Sequence, residues 1–255
     1  MIMSCFSYTE LQIVRLIFFS LRMSILAASW MVSLHVAAEP TMTYRGITLG
    51  DRPERVLELA RKEFDIVNVE DPESYSWLVV SAGDKEGTQK KGCNFGTPAS
   101  RQKTCLSVRL IFTLRKEGEL LHSIMVDQGF SPPVAIDTVL DAITKAYGKP
   151  RLNYQTDVEA MYQTPASKSL SLIWGGNKTP VGDFRPSAAA PYEDRQRIGG
   201  RYISLDIRHK DNLVNGYSLR LIDSAVVDRS NTEVMRELDR LKQERKKASE
   251  AGVKF

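Results

Sequence analysis

Two nine-residue stretches decide the fold: Val56-Leu-Glu-Leu-Ala-Arg-Lys-Glu-Phe64 and Val139-Leu-Asp-Ala-Ile-Thr-Lys-Ala-Tyr147 align without a gap. Three positions are identical, and Glu58/Asp141 and Phe64/Tyr147 are close replacements. Each stretch repeats its apolar residues three and four positions apart, the period of a helix with one buried stripe. The first helix is read over Arg52 to Phe64, with Val56, Leu57, Leu59 and Ala60 inward and Asp51 as its N-cap. The second is read over Val134 to Tyr147, with Ile136, Val139, Leu140 and Ile143 as its stripe. Pro132-Pro133 precedes it, and Gly148 and Pro150 stop it.

Working outward, the same order of elements follows both helices. After the first come a short apolar strand at Ser76 to Ser81 and a polar loop from Ala82 to Thr104. A hairpin then pairs Ser107 to Arg115 with Glu119 to Asp127 across Glu117-Gly118, placing Val108, Leu110, Phe112 and Leu114 on one face. After the second helix come a strand at Ser169 to Trp174, a loop from Gly175 to Gly200, and a hairpin of Tyr202 to His209 with Tyr217 to Asp223. Thr43 to Leu49 is read as a leading strand. Two helix-strand-strand-strand repeats with this order read as an internal duplication. The expected fold is α+β: tandem repeats forming one antiparallel sheet, helices packed on one face, and a C-terminal helix added. That last helix is read over Ser230 to Gly252, with Ser230 and Glu233 at capping-box spacing and Met235, Leu238 and Leu241 as a narrow stripe.

The chain ahead of the first repeat has export character. The apolar run from Met23 to Ala38 is too short to span a bilayer and ends in Val36-Ala37-Ala38, small residues ahead of Glu39-Pro40. Cleavage after Ala38 is expected, with Met23 as an alternative start and a retained anchor or buried helix as the competing readings. The resulting organisation is 1–38 signal segment, 39–131 first repeat, 132–228 second repeat and 229–255 charged C-terminal helix. Processing lowers the formal charge from +4 to +3, because Arg15, Arg22 and Glu10 leave. So weak a field gives no indication of nucleic acid. Cys93 and Cys105 remain, an even pair in an exported chain, and read as a structural disulfide rather than a redox or metal pair.

Chemical signatures are sparse. The processed chain holds two histidines, His122 and His209, one in each hairpin, and both read as surface strand residues. Ser100-Arg-Gln-Lys103 has the Ser-x-x-Lys spacing of penicillin-recognising enzymes but lacks the accompanying motifs and sits in a polar loop. No phosphate loop, dinucleotide turn or metal motif occurs, so no cofactor or metal is expected. The two long loops are the expected contact regions, through Lys90 and Lys91 in the first and Phe184 and Tyr192 in the second. If both leave the same sheet edge, they make one surface.

The stretch Tyr44-Arg-Gly-Ile-Thr-Leu-Gly-Asp-Arg-Pro-Glu-Arg-Val-Leu57 resembles the strand-Gly-helix entry of small bacterial envelope proteins of the BamE/SmpA type, and Tyr147-Gly-Lys-Pro150 is similar to the Gly-x-Pro ending their helices. With the tandem order, the chain also resembles β-lactamase-inhibitor-like proteins, whose duplicated units form a sheet that grips another protein. The resemblance implies this α+β fold and protein binding. The lipidated cysteine of the first family is missing, and Gly-x-Pro follows only the second helix. The function expected is therefore a non-enzymatic, periplasmic or secreted binding protein of the bacterial envelope, contacting a protein or envelope polymer through its loops and an open sheet face. The alternatives are a small hydrolase using carboxylates between the repeats, and a module whose basic C-terminal helix contacts anionic lipid.

Overall fold

The computed structural model describes residues 41–70, 78–89, 93, 104–158, 167–180 and 191–252. Residues 1–38, the expected signal segment, and Lys90, Lys91, Ser100, Lys103 and Phe184 lie outside the described residues.

The chain enters through a small hairpin, β1 (Thr43–Tyr44) and β2 (Ile47–Thr48), where one strand was expected. Arg45 and Gly46 both take positive φ and turn it. Helix α1 (Pro53–Glu63) starts with Pro at its first turn, where the missing N–H costs nothing. Asp51 does not cap it: the N-cap is Arg52, and the Asp51 carboxylate instead accepts the Thr48 N–H at 2.9 Å. Then follow β3 (Ile66–Glu70), β4 (Val79–Gly83), the short α2 (Lys85–Gln89), β5 (Cys105–Phe112) and β6 (Leu121–Ala135). The second unit repeats this: α3 (Ile136–Tyr147), β7 (Leu152–Val158), β8 (Ser167–Gly175), the short α4 (Pro191–Ile198), β9 (Arg201–Lys210) and β10 (Leu213–Asp223). Helix α5 (Ser224–Gly252) closes the chain.

Each unit thus has four sheet strands rather than three; β3 and β7 are the additions. The eight strands form one antiparallel open sheet in the order β3-β4-β5-β6-β10-β9-β8-β7, so the two units meet at β6 and β10. Strand β6 passes through Pro132 and Pro133 because residues 130–133 fall in a register shift against β10, where no ladder N–H is required. The β9–β10 turn uses Asp211 and Asn212, both at positive φ, as a two-residue hairpin turn demands.

The core lies on one face. Val108, Leu110 and Phe112 of β5, Ile124 and Val126 of β6, Leu219 and Leu221 of β10, and Ile203, Leu205 and Ile207 of β9 are buried there under α1, α3 and the entry hairpin. The two helices are buried at matching positions 83 residues apart: Pro53/Ile136, Val56/Val139, Ala60/Ile143 and Phe64/Tyr147. This is the correspondence of the two aligned stretches. Trp174 fixes the end of α3 by donating its indole N–H to Gly148 O at 2.8 Å.

At the end of β4, Gly83 takes φ +146° so that Asp84 can turn beneath Leu106. The Asp84 carboxylate accepts both Leu106 N–H (2.8 Å) and Gly87 N–H (2.7 Å). A Cβ on Gly83 would stand 2.0 Å from Leu106 O, a backbone atom that cannot swing away. Gly83→Ala is therefore expected to destabilise the fold by about 2 kcal/mol or more, read by urea unfolding. An unchanged midpoint would refute the close approach.

Candidate functional site: the polar face of the sheet

The opposite face is not left bare, as helices on one side alone would leave it. Cross-strand register assigns to it Val79, Ile111, Ser123, Ile222 and Tyr202 at one end of the strands. Ile173, Ile198 of α4, Tyr202, Ile222 and Val227 of α5 form a second, smaller core there. So α4 and the start of α5 cover that end. Helix α5 begins six residues before the expected cap. Its first turn is capped by Asp223, whose carboxylate accepts Val226 N–H (3.2 Å) and the Arg201 guanidinium (2.7 Å). Ser230 and Glu233 instead lie inside the helix and fasten it to the β5–β6 turn. Ser230, fully buried, donates to Glu117 (2.8 Å), and Lys116 pairs with Glu233 at 3.1 Å.

Under this cap sits His122. The register shift between Ile111 and Phe112 keeps Leu121 on the core side, with His122 electrostatically coupled to Arg195 of α4 and Asp223. Neither histidine is a surface residue: His122 is 2 % exposed and His209 9 %. His122 Nδ1 lies 2.8 Å from Ser123 Oγ. Histidine and serine thus lie together, the Asp223 charge acts on the imidazole, and all three residues are buried.

Toward the middle of the sheet the same face turns polar. One row crosses seven strands: Gly83, Ser107, Asp127, Ser218, Asp206, Ser171 and Tyr154 stand directly opposite one another in turn. Two of these contacts are hydrogen bonds: Ser218 O–H to Asp127 (2.6 Å), across the junction of the two units, and Ser171 O–H to Asp206 (2.7 Å). The adjoining row places Arg109, Met125, Arg220 and Ser204 beside it, and Arg208 lies two residues beyond Asp206. Asp127, Asp206, Ser218, Met125 and Arg220 are half-buried, whereas Arg109 and Arg208 are exposed. Burial pushes the Asp206 carboxyl up, opposed by the Ser171 hydroxyl and by Arg220 and Arg208. None of these residues was singled out by the sequence reading.

The Cys93–Cys105 disulfide is formed. Cys105 shares the polar face with Ser107, and Cys93 Sγ lies 3.3 Å from Asp127 O, a contact without a proton because the sulfur is bonded to Cys105. The segment carrying α2 is thereby fixed beside the polar row. The two long connections do not leave one sheet edge. The first leaves β4 at Gly83 and the second leaves β8 at Gly175, at opposite ends of the strands, yet both return to this face. Of the contact residues expected from sequence, Tyr192 lies in α4, and Lys90, Lys91 and Phe184 lie outside the described residues.

The C-terminal helix is nearly neutral: residues 224–252 hold seven basic and six acidic side chains, a net of +1. Arg236 pairs with Glu233, Arg240 with Glu237 and Glu244, Lys242 with Asp239 and Lys246 with Glu250. Among the described residues, no helix is long and apolar enough to cross a membrane and no cluster of three metal-ligating side chains occurs. The disulfide points to an oxidising compartment outside the cytoplasm. No family model, curated protein or solved structure matches the chain.

Burial holds the His122 imidazole down at about 4, with Arg195 adding to the effect and Asp223 opposing it. The unfolded chain takes up this proton near pH 6.5, before the folded one does. Stability linked to His122 is therefore full above that value and is lost as pH falls toward about 4. Between pH 7 and pH 5 the native protein is expected to lose about 2 kcal/mol more than His122→Asn, by urea unfolding at each pH. Parallel losses in the two proteins would contradict the burial of a neutral imidazole.

Proposed function

We propose that this chain is an exported, non-enzymatic binding protein of a bacterial envelope, periplasmic in location, which holds a protein or envelope polymer on the polar face of its sheet. The observation that carries the reading is the Ser107–Asp127–Ser218–Asp206–Ser171 row on a rigid sheet, in which Asp127, Ser218 and Asp206 are half-buried at the centre and Ser107 and Ser171 are buried at the two ends. Such a row spans about 19 Å at ordinary strand spacing. It is flanked by the disulfide-held segment at one end of the strands and by α4 and α5 at the other. The face is polar, which suits a ligand bound through hydrogen bonds and charge rather than through an apolar interface core.

The units are proposed to derive from an internal duplication, supported by the matching burial of α1 and α3. The sequence likeness to BamE/SmpA-type and inhibitor-like envelope proteins supports the same placement. Pairing of the charges along α5 favours a solvated arm over a lipid-binding one.

The Asp127–Asp206 pair favours one second reading, a hydrolase working through these carboxylates. They stand two strands apart, about 10 Å between backbones, and burial shifts the Asp206 carboxyl upward. Release of reducing ends from envelope glycans that disappears in both Asp127→Asn and Asp206→Asn would establish it.

For the binding reading, a photo-reactive benzoylphenylalanine is placed at Arg109, at Arg208 or, as a control, at Lys62 on the exposed side of α1, and the protein is irradiated in its envelope. Adducts from positions 109 and 208 but not 62 are expected. Equal labelling from all three, or none, would refute the face as the binding surface.

A further inference from the structure

Resting on that reading, we infer that the ligand of the polar face is an acidic polysaccharide, a polymer carrying both hydroxyls and carboxylates, as uronic acid chains do. A sheet face presents side chains only, because the backbone N–H and C=O groups are committed to the ladder. A peptide therefore cannot be held here by strand addition, which uses an edge. Recognition falls to what the side chains offer, and they offer two things in a fixed arrangement.

The first is a set of acceptors. Asp127 and Asp206 each receive one serine hydroxyl at 2.6 and 2.7 Å and keep further lone pairs, which call for O–H donors on the ligand. The second is a set of guanidinium groups. Across β5, β6, β10, β9 and β8, the charged residues that the alternation places on this face are Arg109, Arg220, Arg208 and Lys210 against Asp127 and Asp206. The two guanidinium groups that stand in solvent are Arg109 and Arg208, on strands that occupy equivalent places in the two units; the strands lie three spacings apart, about 14 Å, and Arg208 is set four residues along β9 from Ser204, which shares the row of Arg109. Guanidinium is the side chain best shaped for carboxylate. A neutral glycan would satisfy the carboxylates and make no use of the charge on the exposed Arg109 and Arg208. An acidic polypeptide would satisfy the arginines but lacks a dense row of hydroxyl donors. A polyuronate supplies both along one chain.

The test is calorimetric titration of the exported protein with oligogalacturonate, with neutral dextran oligomers and with polyglutamate, at low and high salt. Oligogalacturonate is expected to bind at least ten-fold more tightly than either comparator and to weaken as salt rises. Arg109→Gln/Arg208→Gln, two exposed substitutions that leave the thermal midpoint unchanged, is expected to remove at least ten-fold of that affinity, and Asp206→Asn several-fold. Equal binding of dextran, equal binding of polyglutamate, or no binding of oligogalacturonate would each overturn the inference. Photo-adducts at position 109 that prove to be polypeptide would overturn it while leaving the binding face intact. Absence of adducts as well would remove both.

Discussion

Everything else in this protein depends on the pairing of β6 with β10. Each unit is one longer helix, one short helix and four strands, too small to bury its apolar stripe well on its own. Register from Leu213 opposite Ala135 to Ile222 opposite Ser123 joins two four-stranded sheets into one of eight. The joint merges two half-cores, so that α1 and α3 cover a single apolar layer running from Val80 to Leu170. It also removes two inner edges, so that among the described residues β3 and β7 stand at the rim. On the opposite side the same joint brings Asp127 against Ser218 and places the two aspartates of the polar row on either side of β10.

The two faces follow from that joint in different ways. The core face is built by period-two alternation on every central strand, and the helices answer it. The other face is divided. One end is apolar and covered by α4 and α5, with His122, Asp223, Ser230 and Glu117 supplying the polar connections. Toward the other end it carries hydroxyls, carboxylates and guanidinium groups. Ser218 to Asp127 and Ser171 to Asp206 hold the two carboxylates in place. A row whose carboxylates are each positioned by one serine hydroxyl and keep further lone pairs suits the proposed recognition, because little freedom of those side chains remains to be lost when a ligand arrives.

Much of the architecture was legible in the sequence because it is written in apolar periodicity. Val108, Leu110, Phe112 and Leu114 face the core as their alternation requires, and the burial of Val56/Val139 and Ala60/Ile143 follows the aligned stretches. The disulfide followed from an even cysteine count. Strands β3 and β7 were missed because edge strands bury little: Val69 is exposed, and Asn153 and Gln155 interrupt β7. The alternation of Leu152 and Tyr154, immediately after Gly-Lys-Pro, was the available signal. The start of α5 was misplaced because Ser230 and Glu233 have capping-box spacing, whereas the cap is a strand residue, Asp223. His122 was misread because a one-residue register shift breaks the alternation on which exposure is inferred. The polar row was illegible for a deeper reason. Serine and aspartate at alternate strand positions are ordinary, and they become a row only when the register of five strands, distant in sequence, is fixed.

The most direct measurement of the central claim is native-state hydrogen exchange across β6 and β10. If the joint makes one cooperative sheet, the amides of residues 123–128 and 217–222 exchange slowest, with a common free energy equal to that of global unfolding. Two separate unfolding free energies, one for each unit, with β6 and β10 opening between them, would contradict the account.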